Sequence, residues 1–391
     1  MNMSVIKHTT EWLESNWVNP AYGGLLLAVI AICFFGAATN TMAGWLYVIS
    51  AIIFALLVIA AILPMRSLNH LSVRRRPISP VSVGDQLTIE LEIENPTLRP
   101  QTLLQIQDML PPELGAMTKT PVANIPAQSV HRWVYYHPTP KRGVYRWHQV
   151  QLRTATPLGL FWCRRRRYVS ARAVVYPTVL PLTRCPLVDE IGQEESMQVQ
   201  SDRKSQSVSQ DLTKALRPYR VGDPTRLIHW RTSARYGELL VRELEVLTGS
   251  QEIIICLDSS SQWHPEDFEQ AVIAAASMYS YACRTQPNVK LWTPITGLLH
   301  GNSVVLEALA ATQAGVDGKA EEQPYLPPYL PLIWLTQNPV SLNSLPPGSR
   351  CLLWPKDVSV GKPVQQLKRD SLGIVINTTE PLKPQLQQPI R

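Results

Sequence analysis

Charge is the first thing this chain lacks: between Glu14 and Arg66 there is no Asp, Glu, Lys or Arg. A soluble helical pair of that length keeps some charge on its outer face, so the gap argues against a water-facing surface. Paired cysteine spacings are also missing. Cys33, Cys163, Cys185, Cys256, Cys283 and Cys351 are scattered, which argues against a zinc or dithiol motif and fits reduced, mostly buried thiols in a reducing compartment. The chain has no Gly-rich phosphate loop, nucleophile elbow or His-Glu-x-x-His pattern, and no internal repeat. The familiar signatures of hydrolases and nucleotide enzymes are therefore absent, and no catalytic residue is assigned.

Two apolar runs, residues 21–39 and 43–63, fill the uncharged stretch and are parted by Asn40, Thr41 and Met42. At about 1.5 Å rise per residue each is roughly 28 to 32 Å long as a helix, the thickness of a bilayer's hydrocarbon. Two full-length runs joined tightly predict a transmembrane hairpin instead of a cleaved signal peptide. Arg66, Arg74, Arg75 and Arg76 follow the second run and Lys7 precedes the first, while the turn carries no basic residue. Both termini and the soluble domains are thus expected on the cytoplasmic side of an inner or plasma membrane. The net charge of +7 suggests an acidic partner or an anionic surface.

A length of 391 residues allows two or three further domains. Residues 71–182 read as an antiparallel β-sandwich of immunoglobulin-like type, with strands at 86–94, 103–107, 131–136, 144–152 and 171–176 between Pro- and Gly-bearing turns. Residues 183–213 turn polar and read as a linker. After the block at 214–250, residues 251–379 alternate strands (251–258, 289–293, 332–336, 350–354, 373–377) with helices (265–283, 303–312), which predicts a mainly parallel α/β domain. Residues 315–331 and the Pro-rich tail, 380–391, are expected to be irregular.

The block at 214–250 follows neither helical nor strand period. It holds Leu216, Arg217, Tyr219, Gly222, Asp223, Arg226, Ile228, Trp230, Ser233, Ala234, Arg235, the run Leu240 to Arg242, and Glu245. These resemble, place by place, the signature of the domain of unknown function 58 family. Val83-Gly84-Asp85, Asn95, Arg142-Gly143-x-Tyr145, Pro157-Leu158-Gly159-Leu160-Phe161 and Tyr176-Pro177 extend the resemblance, with Thr156 where the family usually has Asp. The resemblance implies a von Willebrand factor A-like, Rossmann-type domain after the signature, and a protein partner, the suggested one being a MoxR-type AAA+ ATPase.

Two readings of the signature stand side by side. Forked Arg pairs with Asp and Glu would fix a loop from within, Gly222 allowing a turn, Asp223 capping the next segment and Trp230 filling a core. Alternatively, exposed members of Arg217, Arg226, Arg231 and Arg235 would receive a partner's acidic side chains or a phosphate.

Asp258-Ser259-Ser260-Ser261-Gln262 stands where a von Willebrand A module carries Asp-x-Ser-x-Ser, a site for a divalent cation. Asp258 and Ser260 match, but Gln262 and Gln337 replace the third hydroxyl and the second carboxylate. The expectation is a degenerate site, Asp258 capping its loop, with no cofactor. Asp258, Ser260 and His264, and likewise Asp223, His229 and Ser233, are close in sequence, which is no evidence of a triad. Arg164 to Arg167 read as a solvated loop or edge strand, or as a contact to anionic lipid. Nucleic-acid binding has no recognised module to carry it. The function expected is a non-enzymatic scaffold that binds protein at a membrane.

Overall fold

A computed structural model turns the uncharged stretch into two helices. It describes residues 12–115, 119–191, 213–219, 228–244, 252–315, 330–346, 348–355 and 373–389. A short helix α1 (residues 12–16) and a two-residue strand β1 (Asn19–Pro20) lead into α2 (Tyr22–Thr41) and α3 (Gly44–Asn69). Both long helices are long and apolar enough to cross a membrane. They pack through small residues: Ala31 and Ala38 are fully buried, and Ser50 Oγ donates to the Ala31 carbonyl at 2.9 Å. Val29, Ile32, Ile52 and Val58 point outward and are exposed. An apolar exterior around a seam of small side chains is the arrangement that hydrocarbon favours.

The second apolar run ends at 63 by composition, but α3 continues through Pro64 and Arg66 to Asn69. The extension is held from outside. Arg167 Nη2 donates to the carbonyls of Leu68 (2.6 Å) and Asn69 (3.2 Å), and its Nε to that of Leu71 (3.1 Å), supplying donors that a helix C-terminus leaves wanting.

Beyond α3, the first of two compact units (Met1–Pro177) is a pair of sheets. The strands are β2 (Ser72–Arg75), β3 (Val81–Ser82), β4 (Gln86–Asn95), β5 (Gln101–Asp108), β6 (Lys119–Ile125), β7 (Ser129–Pro138), β8 (Gly143–Thr154) and β9 (Phe161–Tyr176). One sheet runs β2-β4-β7, the other β1-β9-β8-β5-β6, with β3 beside the end of β9. The alternation in β4 sends Leu87, Ile89, Leu91 and Ile93 inward, where they share one core with Ile106, Val150, Leu152 and Ala173. Burying each such side chain contributes about 1.5–3 kcal/mol.

The arginine run is a correction. Arg164 to Arg167 lie inside the long strand β9, which pairs with β8 along this stretch, and three of the four side chains are spent within the unit. Arg164 reaches Glu14 of α1 at 3.3 Å, Arg165 Nη1 donates to the Ser15 carbonyl at 2.9 Å, and Arg167 holds α3. Glu14 is buried and also pairs with Arg153. Residues 12–20 therefore belong to the sandwich, not to a free N-terminal segment.

The second unit (Thr178–Arg391) begins earlier than the expected domain edge at 182. Leu182, Cys185, Leu187, Val188 and Ile191 are buried in its core, and residues 186–191 form a helix, α4. The polar linker expected from 183 thus starts no earlier than 192; the rest of it lies outside the described residues. Strands β10 (Thr213–Pro218) and β11 (Leu240–Leu244) pair antiparallel, with a helix α5 (Trp230–Tyr236) between them in sequence.

A six-stranded sheet forms the body of this unit. It is built from β12 (Ile253–Leu257), β13 (Val289–Thr293), β14 (Gly297–Leu299), β15 (Leu332–Thr336), β16 (Arg350–Leu353) and β17 (Gly373–Val375), in the order β14-β13-β12-β15-β16-β17. All pairs are parallel except β13 with β14. Helices α6 (Pro265–Thr285), α7 (Asn302–Ala311) and α8 (Leu382–Leu386) join α4 in one core against Ile253, Ile255 and Leu257. The other face seats Ile254, Cys256 and a stacked pair, Trp292 and Trp334. The tail expected to be irregular contains α8, because Leu386 is fully buried and Gln385 is hydrogen-bonded to the backbone of Asn377 at both ends of its amide. Residues 316–329 lie outside the described residues.

Gly24 marks where hairpin and sandwich touch. A Cβ there would run into the Leu160 carbonyl oxygen, which also accepts from Ala21 N–H at 2.8 Å, whereas a Cβ at Gly36 would meet nothing. Gly24→Ala is expected to cost about 1–3 kcal/mol through overpacking, while Gly36→Ala gains up to about 1 kcal/mol of helix propensity. Thermal unfolding of the full chain in mild detergent compares them; equal stability of the two variants would contradict the junction described.

Candidate functional site

The signature block holds itself together with short polar side chains. His229 precedes α5 and its Nδ1 accepts from Thr232 N–H at 3.2 Å, so histidine fills the N-cap place. Ser233 is buried; its Oγ donates to the His229 carbonyl at 3.1 Å and accepts from Leu240 N–H at 2.9 Å. His229 N–H donates to the Leu240 carbonyl (2.8 Å), and Tyr219 N–H to that of Leu239 (2.8 Å). Ile228 bridges to Val241, and both are buried. Gly237 closes α5 in the left-handed conformation (φ 73°) that favours glycine.

With the helix fixed on one side, its other side is open. Trp230 is 64% exposed and Tyr236 70%, with Arg231, Arg235 and Leu239 exposed beside them. The expectation that Trp230 fills a core is thereby overturned: it begins a seven-residue helix whose buried polar anchor is Ser233. Of the other expected site residues, Tyr219 sits after β10 and Arg217 lies on β10 with its side chain outside the described residues. Gly222, Asp223 and Arg226 also lie outside them, so the structure brings together Tyr219, Trp230, Ser233 and Arg235 alone. The exposed Tyr236 and Leu239 are additions that sequence reasoning misses. Their signal is two apolar residues flanking a Gly-Glu turn, but periodicity says nothing over so short a helix.

The second candidate lies at the carboxyl end of β12, where the chain goes to β13 on one side and returns to β15 on the other. Such a switch point leaves a crevice in parallel sheets. Asp258 is buried there. Its Oδ1 accepts from Ser260 Oγ at 2.7 Å and its Oδ2 from Thr336 Oγ1 at 2.8 Å, while its carbonyl accepts from Trp263 Nε1 at 2.6 Å. Gln337 stitches β15 to α6: Oε1 accepts from His264 N–H (2.8 Å), and Nε2 donates to Asp267 (2.7 Å). The donor set is one carboxylate and two hydroxyls already turned toward it, short of the six or more oxygens that a hard divalent cation takes. Among the described residues no group of three His, Cys, Asp or Glu side chains is placed to hold a metal. His264 is exposed at the start of α6, and the polar contacts of Asp258 are with Ser260 and Thr336.

Residues 215–290 match the model of a family described as "Protein of unknown function DUF58", a segment that contains the signature. The chain is also similar to the uncharacterized protein YeaD of Bacillus subtilis (strain 168), with 24% identity over 225 residues, 56% of this chain and 54% of that protein. It thus spans about half the length of the curated relative it matches. Both matches support the DUF58 family. Among solved structures, the CARDB domain of the PF1109 protein from Pyrococcus furiosus, in complex with di-metal ions, aligns over 27% of this chain and 93% of that one, with 11% identity and a TM-score of 0.18. A putative late embryogenesis abundant protein, At2g46140.1, aligns over 32% and 84%, with 10% identity and a TM-score of 0.21. At such scores neither likeness carries an argument.

Burial also sets the thiol chemistry of the second unit. It pushes Cys185 up to about 12 and Cys351 up to about 11, and raises Cys256 well above the usual thiol value. Raised values keep the reactive thiolate scarce at pH 8. Iodoacetamide at that pH is expected to modify exposed Cys283 and to spare Cys185, Cys256 and Cys351 until denaturant is added; mass spectrometry reads the order, and early labelling of Cys256 would contradict the fold.

Proposed function

We propose that this chain is a membrane-anchored, non-enzymatic scaffold whose signature segment docks a protein partner. In this reading α2 and α3 cross an inner or plasma membrane as a hairpin. The basic residues on either side of the hairpin place both termini and both units in the cytoplasm. The sandwich is of immunoglobulin-like type and the α/β unit a degenerate von Willebrand A-like one. Asp258 and Ser260 are a structural tie within it, and no cofactor enters.

The observation that carries the reading is the open face of α5. Trp, Tyr and Arg are the residue types that dominate binding energy at protein interfaces, because they combine large contact area with directed hydrogen bonds. Here Trp230, Arg231, Arg235 and Tyr236 share one short helix whose position is set by Ser233 and His229. An aromatic and basic surface fits an acidic face on a partner. The resemblance of the signature suggests a MoxR-type AAA+ ATPase in that place. His229 and Ser233 spend their polar atoms on backbone and on Thr232, which favours an architectural role over catalysis.

Crosslinking in native membranes, with identification of what is captured, tests this. Trp230→Ala and Arg235→Glu are expected to lower capture of a defined partner by at least about tenfold, the size of one interface anchor, with unchanged thermal stability. Ser233→Ala is expected to lower stability by about 1–3 kcal/mol, leaving Leu240 N–H unpaired. Capture that survives both surface changes would contradict the docking reading.

A further inference from the structure

The first unit carries a basic groove that plays no part in the docking reading. It is an open cleft of about 580 Å³, lined by Arg75 and Arg76 at the end of β2, by Arg146, Trp147 and His148 of β8, and by Arg172 of β9. Its volume is that of a small-molecule site, for which about 300–1,000 Å³ is usual. Among the described residues no Asp or Glu lines it.

Its floor is rigid. Arg75 is buried and forks onto Asp108 at 2.6 and 2.9 Å. Asp108 also accepts from Tyr135 Oη (2.7 Å) and Trp147 Nε1 (3.0 Å), and the Arg75 guanidinium lies 5.1 Å from the centre of the Trp147 ring. The buried Nε of Arg75 has no partner among the described residues. Arg76 is matched by Glu92 at 2.7 Å.

Arg146 and Arg172 are differently placed. They are direct Cα partners in the β8–β9 ladder, so their side chains leave the same face, and like charges directly opposite each other destabilise a sheet. Immediately beyond them the register shifts between Trp147 and Gln149, with His148 facing both Val169 and Ser170. A bulge of this kind re-aims side chains and is over-represented beside functional sites.

We propose that this groove binds a phosphate-type oxyanion, with Arg146 and Arg172 as its two arms. A tetrahedral oxyanion offers each guanidinium a forked pair of acceptors and turns their mutual repulsion into attraction. The Arg75–Asp108–Trp147 floor keeps the arms apart at a set spacing. The same chemistry is offered by a soluble phosphate ester and by a phospholipid headgroup.

The test uses the full chain in a neutral detergent and phosphate-free buffer, titrated calorimetrically with inorganic pyrophosphate, and in a second arm with micelles containing phosphatidylglycerol or, as the uncharged comparison, phosphatidylcholine. Arg146→Ala and Arg172→Ala are each expected to weaken binding by at least about tenfold, the effect of losing one charged hydrogen bond. Arg99→Ala, an exposed arginine outside the groove, is expected to leave it unchanged. Loss of pyrophosphate binding in the groove variants supports a soluble ester; loss confined to the phosphatidylglycerol arm supports a headgroup. Absence of binding in both arms, or equal weakening by Arg99→Ala, would overturn the proposal. Neither result bears on partner capture by α5, so the two readings fail separately.

Discussion

The carbonyls at the end of α3 must find donors at the point where an apolar helix stops, and Arg167 of β9 provides them. This one guanidinium reaches three carbonyls, of Leu68, Asn69 and Leu71, and its neighbours Arg164 and Arg165 hold α1 through Glu14 and the Ser15 carbonyl. A helix end without partners would be costly here, because backbone carbonyls removed from water lose about 1–3 kcal/mol each when unpaired. The consequence is that hairpin and sandwich form one unit. The sandwich hangs on no flexible tether: it is fixed at α1, at the Leu160 turn against Gly24, and at the end of α3.

Much of this is legible in the residues and some is not, for reasons that differ by element. The inward Leu87, Ile89, Leu91 and Ile93 announce β4 by period two, and Phe268, Val272, Ala275 and Ala282 announce α6 by period 3.6, since both patterns record a single buried face. The arginine run misleads. Four consecutive charges read as solvated surface because charge is usually exposed, and only tertiary structure shows that Glu14, far away in sequence, and the end of α3 receive them. Residues 186–191 and α8 are short and lie within polar or Pro-bearing surroundings, so no window holds enough of a period to reveal the buried Val188 or Leu386.

The signature shows the same limit at the level of function. Its residue types point to hydrogen bonding, and the hydrogen bonds are there, but they are made by Ser233 and His229 with backbone. The bulky members that sequence logic sends inward, Trp230 above all, are on the outside. At the other end of the same unit, the loss of a second carboxylate at Gln337 is structurally meaningful: its amide bridges the start of α6, and Asp258 is left with hydroxyl partners. One unit thus keeps a polar switch point closed by its own side chains and displays an aromatic and basic helix instead.

The account rests on the outward side chains of α2 and α3 lying in hydrocarbon while the sandwich stays attached at their ends. Nitroxide labels placed singly at Ile32, Ile52 and Met42 of the full chain in lipid nanodiscs test this most directly, through collision with oxygen and with a polar nickel complex. The account predicts that Ile32 and Ile52 favour oxygen and that Met42, at the tip of the hairpin, favours nickel. Nickel access at Ile32 and Ile52 equal to that at Met42 would contradict it.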